Sequence, residues 1–360
     1  MEEFSCKTVI YSGAGAISAL GKLGAKRVFL VTDPFFMKNG LAQTVAQAAK
    51  AEAVEIFDGV KPDPSVELAA AGTAKLKAFA PDLVVALGGG SAMDCAKAMA
   101  YFGKGTYKLV TIPTTSGSGS EVTDFAILTH GNVKHPLVDE RLRPDGAILD
   151  SDLLQELPPS LVADAGFDVL AHALEACAAT GAGAMTDLLA REAFSVAFAN
   201  LPASFAGRKD VRLKVHRAAT LAGLAFTQAG LGLCHAMAHA LGGMFHVPHG
   251  RLNAILLPSV IGVNAHAVGH KYAQMARAAG ISGSADTVAV RNLKNALVRL
   301  RKELNLPETL AKAGVDPREV WRRSGEIVTA ALADPCCGTN PIAVEDFLVR
   351  RVLEEVTGRV

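Results

Sequence analysis

Short apolar runs alternate with longer Ala- and Leu-rich stretches over the first 157 residues, and then the alternation stops. Val28-Phe29-Leu30-Val31 is apolar throughout and runs into Thr32-Asp33-Pro34, which reads as a turn. A helical stretch over residues 41–51 precedes a second short strand around residues 53–57. Pro62-Asp63-Pro64 then breaks the chain before another helix. Leu83-Val84-Val85-Ala86-Leu87 contains no polar residue, as a strand of a parallel sheet covered on both faces requires. Leu109-Val110-Thr111-Ile112 reads the same way. Strands separated by helices predict an α/β unit with a parallel sheet. From Pro158-Pro159 onward strand-like runs are rare and helical periodicity dominates. The expected organisation is an α/β domain over residues 1–157 and an all-α domain over residues 158–360. The stretch 290–304 interleaves Arg and Lys with Leu, Val and Ala, the pattern of an amphipathic helix with a solvated face.

Two polar, glycine-rich segments follow predicted strands. Gly88-Gly89-Gly90-Ser91 lies between a strand and a helix expected to begin near Met93, with Asp94 and Lys97 in its first turns. Strand, glycine loop and helix N-terminus together suit an anion, because backbone N–H groups and the helix dipole face it. The second segment is Thr114-Thr115-Ser116-Gly117-Ser118-Gly119-Ser120-Glu121, whose hydroxyls suit phosphate, ribose or an amide. Either loop alone could be a linker; two at successive strand ends predict a ligand crevice. Asp33, just past a strand end, is either a turn-former before Pro34 or an acceptor for ribose hydroxyls that excludes a 2′-phosphate. Gly13-Ala14-Gly15-Ala16-Ile17-Ser18 nearly matches the dinucleotide fingerprint but lacks the last glycine, and is set aside.

The second half carries the metal-binding chemistry. Asp168-x3-His172 and His235-x3-His239 are i,i+4 pairs that share a helix face, and His249 follows downstream. Between Arg217 and Arg251 there is no Lys, Arg, Asp or Glu, yet four of the ten histidines fall there. A buried imidazole needs a partner. A single pair would be read as core histidines; the combination points to one divalent ion held by three His and one carboxylate. That apolar interval is long enough to span a bilayer. Breaks at Gly223, Gly230, Gly232, Gly242 and Gly243 and its histidines favour a buried helix pair, and the zincin motif fails because Ala236 follows His235.

Composition narrows the class further. Half of the residues are hydrophobic, net charge is +1, and aromatics are 6% of the chain. That excludes a nucleic-acid binder and fits an enzyme acting on a small molecule, with no membrane partner. The N-terminus lacks the pattern of a secretory signal, and six cysteines without knuckle spacing read as reduced thiols of a cytoplasmic protein. A homodimer is expected.

Several motifs, in order along essentially the whole chain, resemble the iron-containing (group III) alcohol dehydrogenases. They are Thr32-Asp33, Gly88-Gly89-Gly90-Ser91-x-x-Asp94-x-Ala96-Lys97, Thr114-Thr115-x-Gly117-x-Gly119-Ser120-Glu121-Val122-Thr123, Gly166-x-Asp168-x3-His172-Ala173-x-Glu175, His235-x-Met237-Ala238-His239 through Pro248-His249-Gly250, and Asn340-Pro341. The resemblance implies a two-domain plan like that of dehydroquinate synthase. It implies that Asp168, His172, His235 and His249 bind one Fe²⁺ (or Zn²⁺), with His239 beside the metal as a proton relay rather than a ligand. It also implies that Asp33, Gly89, Gly90, Ser91, Asp94, Thr114, Ser118 and Thr123 line an NAD site, with Lys134 a further candidate, and that Phe226 faces the substrate. Phe125, following Thr123-Asp124, departs from the family pattern and suggests a small or apolar pocket. Ala92 in place of a common Pro, Asp63 in place of a frequent Asn, and a short stretch between Lys97 and Thr114 are further departures.

The implied activity is interconversion of short-chain primary alcohols (ethanol to butanol, propanediols) and their aldehydes by hydride transfer with NAD. A glycerol-type polyol dehydrogenase shares the plan, but the Gly90-Ser91 loop and three-His set favour the alcohol branch. A dehydroquinate synthase-type lyase needs Lys and Arg near the metal, and the interval 217–251 has none between its ends. A non-catalytic subunit would not retain every ligand and both loops.

Overall fold

The computed structural model describes residues 4–131 and 133–358. They form two compact units, Ser5–Leu157 and Pro158 onward, the latter joined by Phe4. The first unit holds strands β1 (Val9–Gly13), β2 (Arg27–Val31), β3 (Ala53–Phe57), β4 (Leu83–Gly88), β5 (Lys108–Pro113), β6 (Phe125–His130), β7 (Val133–Val138) and β8 (Gly146–Asp150). Helices α1 (Pro34–Lys38), α2 (Leu41–Ala48), α3 (Val66–Phe79) and α4 (Gly90–Gly103) connect them. Six strands make one sheet in the order β1-β8-β5-β4-β2-β3, every neighbouring pair parallel.

The apolar runs are continuous because each face of this sheet is covered. Val28, Leu30, Leu83, Val85 and Leu87 pack on one side with Leu20, Ala42 and Val45. Phe29, Val31, Val84 and Ala86 pack on the other with Leu76, Met93 and Met99. That is the period-2 alternation of a strand, with both sides made apolar. The chain travels outward from β2 to β3, then returns to place β4 on the opposite side of β2. The carboxyl ends of β2 and β4 therefore flank the point where strand order reverses, which is where open α/β sheets bind ligands.

Three local readings change. The helix expected over 41–51 ends at Ala48, and Lys50 then adopts a left-handed φ of 53°. The helix expected near Met93 starts at Gly90, because the amides of Ala92 and Met93 already bond to the Gly89 carbonyl. The antiparallel hairpin β6–β7 has no counterpart in the sequence reading. The near-fingerprint at Gly13–Ser18 is no phosphate loop: the amides of Gly15 and Ile17 are taken by the carboxylates of Asp150 and Asp152 at 2.9–3.1 Å.

The second unit contains α5 (Pro159–Ala178), α6 (Ala184–Phe205), α7 (Lys209–Ala229), α8 (Leu233–Phe245), α9 (His249–Ala278), α10 (Asp286–Glu303), α11 (Pro317–Arg322), α12 (Ser324–Ala333) and α13 (Asp346–Val356). Helix α5 is the central element, packed by α6, α7 and α9, and nearly every residue from Val162 onward is buried. The uncharged interval does not form one span: α7 and α8 are bent by 104° at the glycines between them. Helix α9 is long and apolar enough to cross a membrane, but 61% of its most apolar window is buried within the protein, as in a core helix. It kinks at Val268, whose φ of −124° leaves the helical region.

Close approach of α5 and α9 depends on Gly250. A Cβ there would lie 2.0 Å from the Asp164 carbonyl oxygen, a backbone atom that cannot rotate away. Gly250→Ala is expected to lower stability by about 1–3 kcal/mol through overpacking, measured by denaturant unfolding. A value within error of zero would show that the two helices do not need this contact.

Candidate metal centre and cofactor loops

Three side chains far apart in sequence converge inside the helical unit. Asp168 comes from α5, His235 from α8, and His249 opens α9. Their donor atoms lie within 4.8 Å of one another. Asp168 Oδ1 is 3.6 Å from His235 Nε2 and 3.4 Å from His249 Nε2. His172, one turn after Asp168, stands farther out with Nε2 3.9 Å from the same oxygen. Its ring stacks between His235, at 4.5 Å, and Phe226, at 4.4 Å. Burial alone would raise the Asp168 carboxyl, but the imidazoles of His172, His249 and His235 hold it well below the usual carboxylate range.

The amide nitrogen of Asn253 meets the three converging donors, 2.8 Å from Asp168 Oδ1, 3.3 Å from His235 Nε2 and 3.2 Å from His249 Nε2. An amide has two hydrogens, so it cannot satisfy three acceptors. The surplus lone pair is what a cation would take up, and one carboxylate with neutral imidazoles suits Fe²⁺ or Zn²⁺. The residues present therefore fit such an ion.

Glu175 fixes the orientation of His235. Its Oε2 accepts the His235 Nδ1–H at 2.6 Å, which makes Nε2 the ring nitrogen directed into the cluster. The same carboxylate accepts the backbone N–H groups of Cys234, at 2.7 Å, and His235, at 3.2 Å. Asn340 Oδ1 takes the preceding N–H of Leu233 at 3.1 Å. The α8 N-terminus, which has no cap of its own, is thus closed by two distant residues, and its dipole favours the anion. Burial opposes charge on His235, but the flanking carboxylates of Asp168 and Glu175 raise its pKa to about 9, so in the absence of a cation Nε2 also holds a proton. An entering metal ion must displace that proton, so affinity falls as pH falls.

His239 lies one turn beyond His235, outside the converging set. Its ring stacks on His249 at 5.1 Å, and its Nδ1 is 2.8 Å from Asp334 Oδ2. Burial would raise Asp334, but the His239 bond holds it down to about 2, so the carboxylate stays ionised.

In the α/β unit the two glycine-rich segments lie against each other. A Cβ on Gly89 would come 3.3 Å from Thr115 Oγ1, and one on Gly90 would come 3.4 Å from the Ser118 Cβ. Gly88 has a φ of +149°, and a Cβ there would sit 2.6 Å from that of Ala92. The Thr114 N–H bonds to the Gly88 carbonyl at 3.0 Å, which joins the two loops. Helix α4 begins with no side-chain cap, and Ser91 is in its first turn. Asp33 is both turn-former and candidate ligand: Oδ1 caps α1 by accepting from Phe35 and Phe36, while Oδ2 faces Gly88.

Other residues expected near the cofactor hold the loop from within. Lys97 is fully buried, and its ammonium meets Ser120 Oγ, the Thr123 carbonyl and hydroxyl, and the Phe125 carbonyl at 2.9–3.0 Å. Burial brings its pKa down to about 8. Asp94 accepts from Ser120 Oγ and the Ile127 amide. Lys134, on β7, pairs with Asp63 at 2.7 Å.

Residues 7–151 match the family model for iron-containing alcohol dehydrogenase, and residues 162–357 match the C-terminal domain model of the Fe-containing alcohol dehydrogenase family. The chain belongs to the iron-containing alcohol dehydrogenases. Alcohol–aldehyde interconversion, the activity implied by the resemblance, is supported by its relatives. A 1-propanol dehydrogenase of Citrobacter freundii is 40% identical over 370 residues, covering 99% of this chain and 100% of the relative. An NADPH-dependent butanol dehydrogenase of Clostridium saccharobutylicum is 36% identical, covering 98% and 97%. The solved structure of a 1,3-propanediol oxidoreductase, 32% identical, superposes with a TM-score of 0.93 over 98% of this chain and 99% of its own.

Sequence reasoning gave this dehydrogenase its ligand candidates, but of the residues that orient them Glu175 and Asn340 entered only as motif positions without a role, and Asn253 and Asp334 not at all. Glu175 continues the Asp168, His172 series on one helix face at i+7, and Asn253 is i+4 from His249. Helical spacing alone could have found both. Asp334 and Asn340 lie in a turn after α12 and carry no such signal. Glu175→Gln keeps the shape but loses the anion. It is expected to weaken metal binding about 10–100-fold, measured by competition with a chromogenic chelator. Unchanged affinity would mean that Glu175 only caps α8.

Proposed function

We propose that this dehydrogenase interconverts short-chain primary alcohols and their aldehydes with NAD and one divalent ion, iron or zinc, held by Asp168, His172, His235 and His249. The observation that carries the reading is the convergence of Asp168 Oδ1, His235 Nε2 and His249 Nε2 on a single amide nitrogen. When bound, an ion with one carboxylate and neutral imidazoles keeps net positive charge, which polarises a carbonyl oxygen and stabilises an alkoxide.

The chain's own residues supply the rest. Glu175 and Asn253 hold His235 and Asp168 in their binding orientation. Asp334 fixes the proton of His239 on Nδ1, which leaves Nε2 to receive the alcohol proton and pass it on. Phe226, stacked on His172, would supply apolar wall beside the metal ligands, favouring a short alkyl chain over a polyol. Gly88, Gly89, Gly90 and Ser91, with Thr114, Thr115 and Ser118, would carry the NAD pyrophosphate and nicotinamide amide, with Asp94, Thr123 and Lys134 at that site's edge. Hydride then passes between the substrate carbon and nicotinamide C4. Relatives acting on 1-propanol, butanol and 1,3-propanediol support this substrate range.

Asp33 supports NAD over NADP, since a carboxylate at the ribose repels a 2′-phosphate. We further propose that the enzyme is a homodimer in the cytoplasm; its six free cysteines suit a reducing compartment. Light scattering is expected to give twice the chain mass, and a single-chain mass would end the dimer reading.

The deciding assay is NADH oxidation by propanal on protein purified without oxygen and reconstituted with Fe²⁺ or Zn²⁺. Turnover should require the metal, vanish in His249→Ala, and fall with NADPH. Asp33→Gly should narrow the NADH preference by about tenfold, roughly 1.4 kcal/mol. Absence of turnover with either metal and any short aldehyde, despite NAD binding, would sink the proposal.

A further inference from the structure

A second set of metal-ligating atoms lies next to the site just described. His239 Nδ1, on α8, faces Asp334 Oδ2 at 2.8 Å, and the Cys336 thiol completes a trio whose donor atoms all lie within 4.8 Å of one another. Among the described residues this is the only group of that kind besides the Asp168, His235 and His249 cluster. The turn that presents it is rigidly made. Asp334 Oδ1 accepts the Cys336 backbone N–H at 2.9 Å and caps the 3-10 turn Pro335–Thr339. Asn340 at the end of that turn is anchored at α8. Cys337 takes no part, since its thiol bonds back to the Ala331 carbonyl.

We propose that His239, Asp334 and Cys336 form a second cation site, selective for a thiophilic divalent ion of the zinc type. Zinc binds imidazole, carboxylate and thiolate, commonly with three protein ligands and a water. All three residues are only partly buried, so the fourth position can be filled from solvent. On binding, the thiol proton of Cys336 leaves to solvent and the proton of His239 shifts from Nδ1 to Nε2, so the ring stays a neutral imidazole; bonds from Sγ, Nδ1 and the carboxylate to the cation replace the S–H and Nδ1–H bonds, and no electron is transferred. The thiolate and the Asp334 carboxylate then cancel the cation's two charges. The Asp168 site, with one carboxylate, keeps positive charge for an oxygen anion. The second site has none left over and selects by sulfur affinity.

A functional consequence follows if His239 is the proton relay, and this step rests on that reading. Zinc on Nδ1 removes the bond to Asp334 and puts the ring proton on Nε2, which then has no lone pair to receive the alcohol proton. The iron-loaded enzyme would then be inhibited by zinc without losing its iron.

The test uses the iron-loaded full chain equilibrated with Zn²⁺, with total metal measured after removal of free ions. Wild type should hold two ions per chain, one for each cluster, and Cys336→Ser should hold one with basal turnover kept. Zinc should also protect Cys336 from alkylation, read by peptide mass mapping, while Cys6 stays reactive. One ion per chain in the wild type would overturn the site, as would a second zinc that survives Cys336→Ser and leaves Cys336 open to alkylation. Two ions in the wild type with no loss of turnover would uphold the site and overturn the relay role of His239.

Discussion

One carboxylate organises the helical unit. Glu175 sits where the start of α8 meets the end of α5, and it accepts two backbone N–H groups and the imidazole of His235. A buried anion without partners would cost several kcal/mol of desolvation. Here the helix dipole, two amides and an imidazole compensate for that loss. The same bonds set the tautomer of His235 and the height at which α8 begins. His239, one turn on, inherits its position from that start. Metal site and helix cap are therefore a single arrangement, and neither could be moved without the other.

The α/β unit depends on buried polar organisation of a different kind. Lys97 is a cation with no exposure, surrounded by carbonyl and hydroxyl oxygens from the 120–125 segment. A single buried ammonium replaces the regular backbone pairing that this loop lacks. The glycines at the end of β4 can then be close to Thr115 and Ser118 without a side chain between them.

Residues governed by local periodicity were legible in the sequence. The fully apolar Leu83–Leu87 run became a central strand because both sheet faces are covered, and the i,i+4 spacing placed Asp168 and His172 on one face of α5. What remained hidden depends on contacts across long sequence separations. Nothing near His239 announces Asp334, which lies 95 residues away. Nothing near Leu233 announces Asn340. The hairpin β6–β7 was missed because its strands mix polar and apolar residues and lie outside the main sheet. Lys97 was visible as a motif position, yet its complete burial runs against the usual habit of lysine and could not be read from composition.

Asn340 caps α8 across 107 residues, and that separation bears on how the protein is made. The α/β unit is contiguous from Ser5 to Leu157, so it can be complete on the ribosome before the first metal donor has been synthesised. The helical unit cannot. Its metal-donor helix α8 lacks an end until a segment more than one hundred residues later has emerged. The nucleotide half is thus free to fold early, while the metal half waits for nearly the whole chain, and the ion enters a protein whose other half already stands.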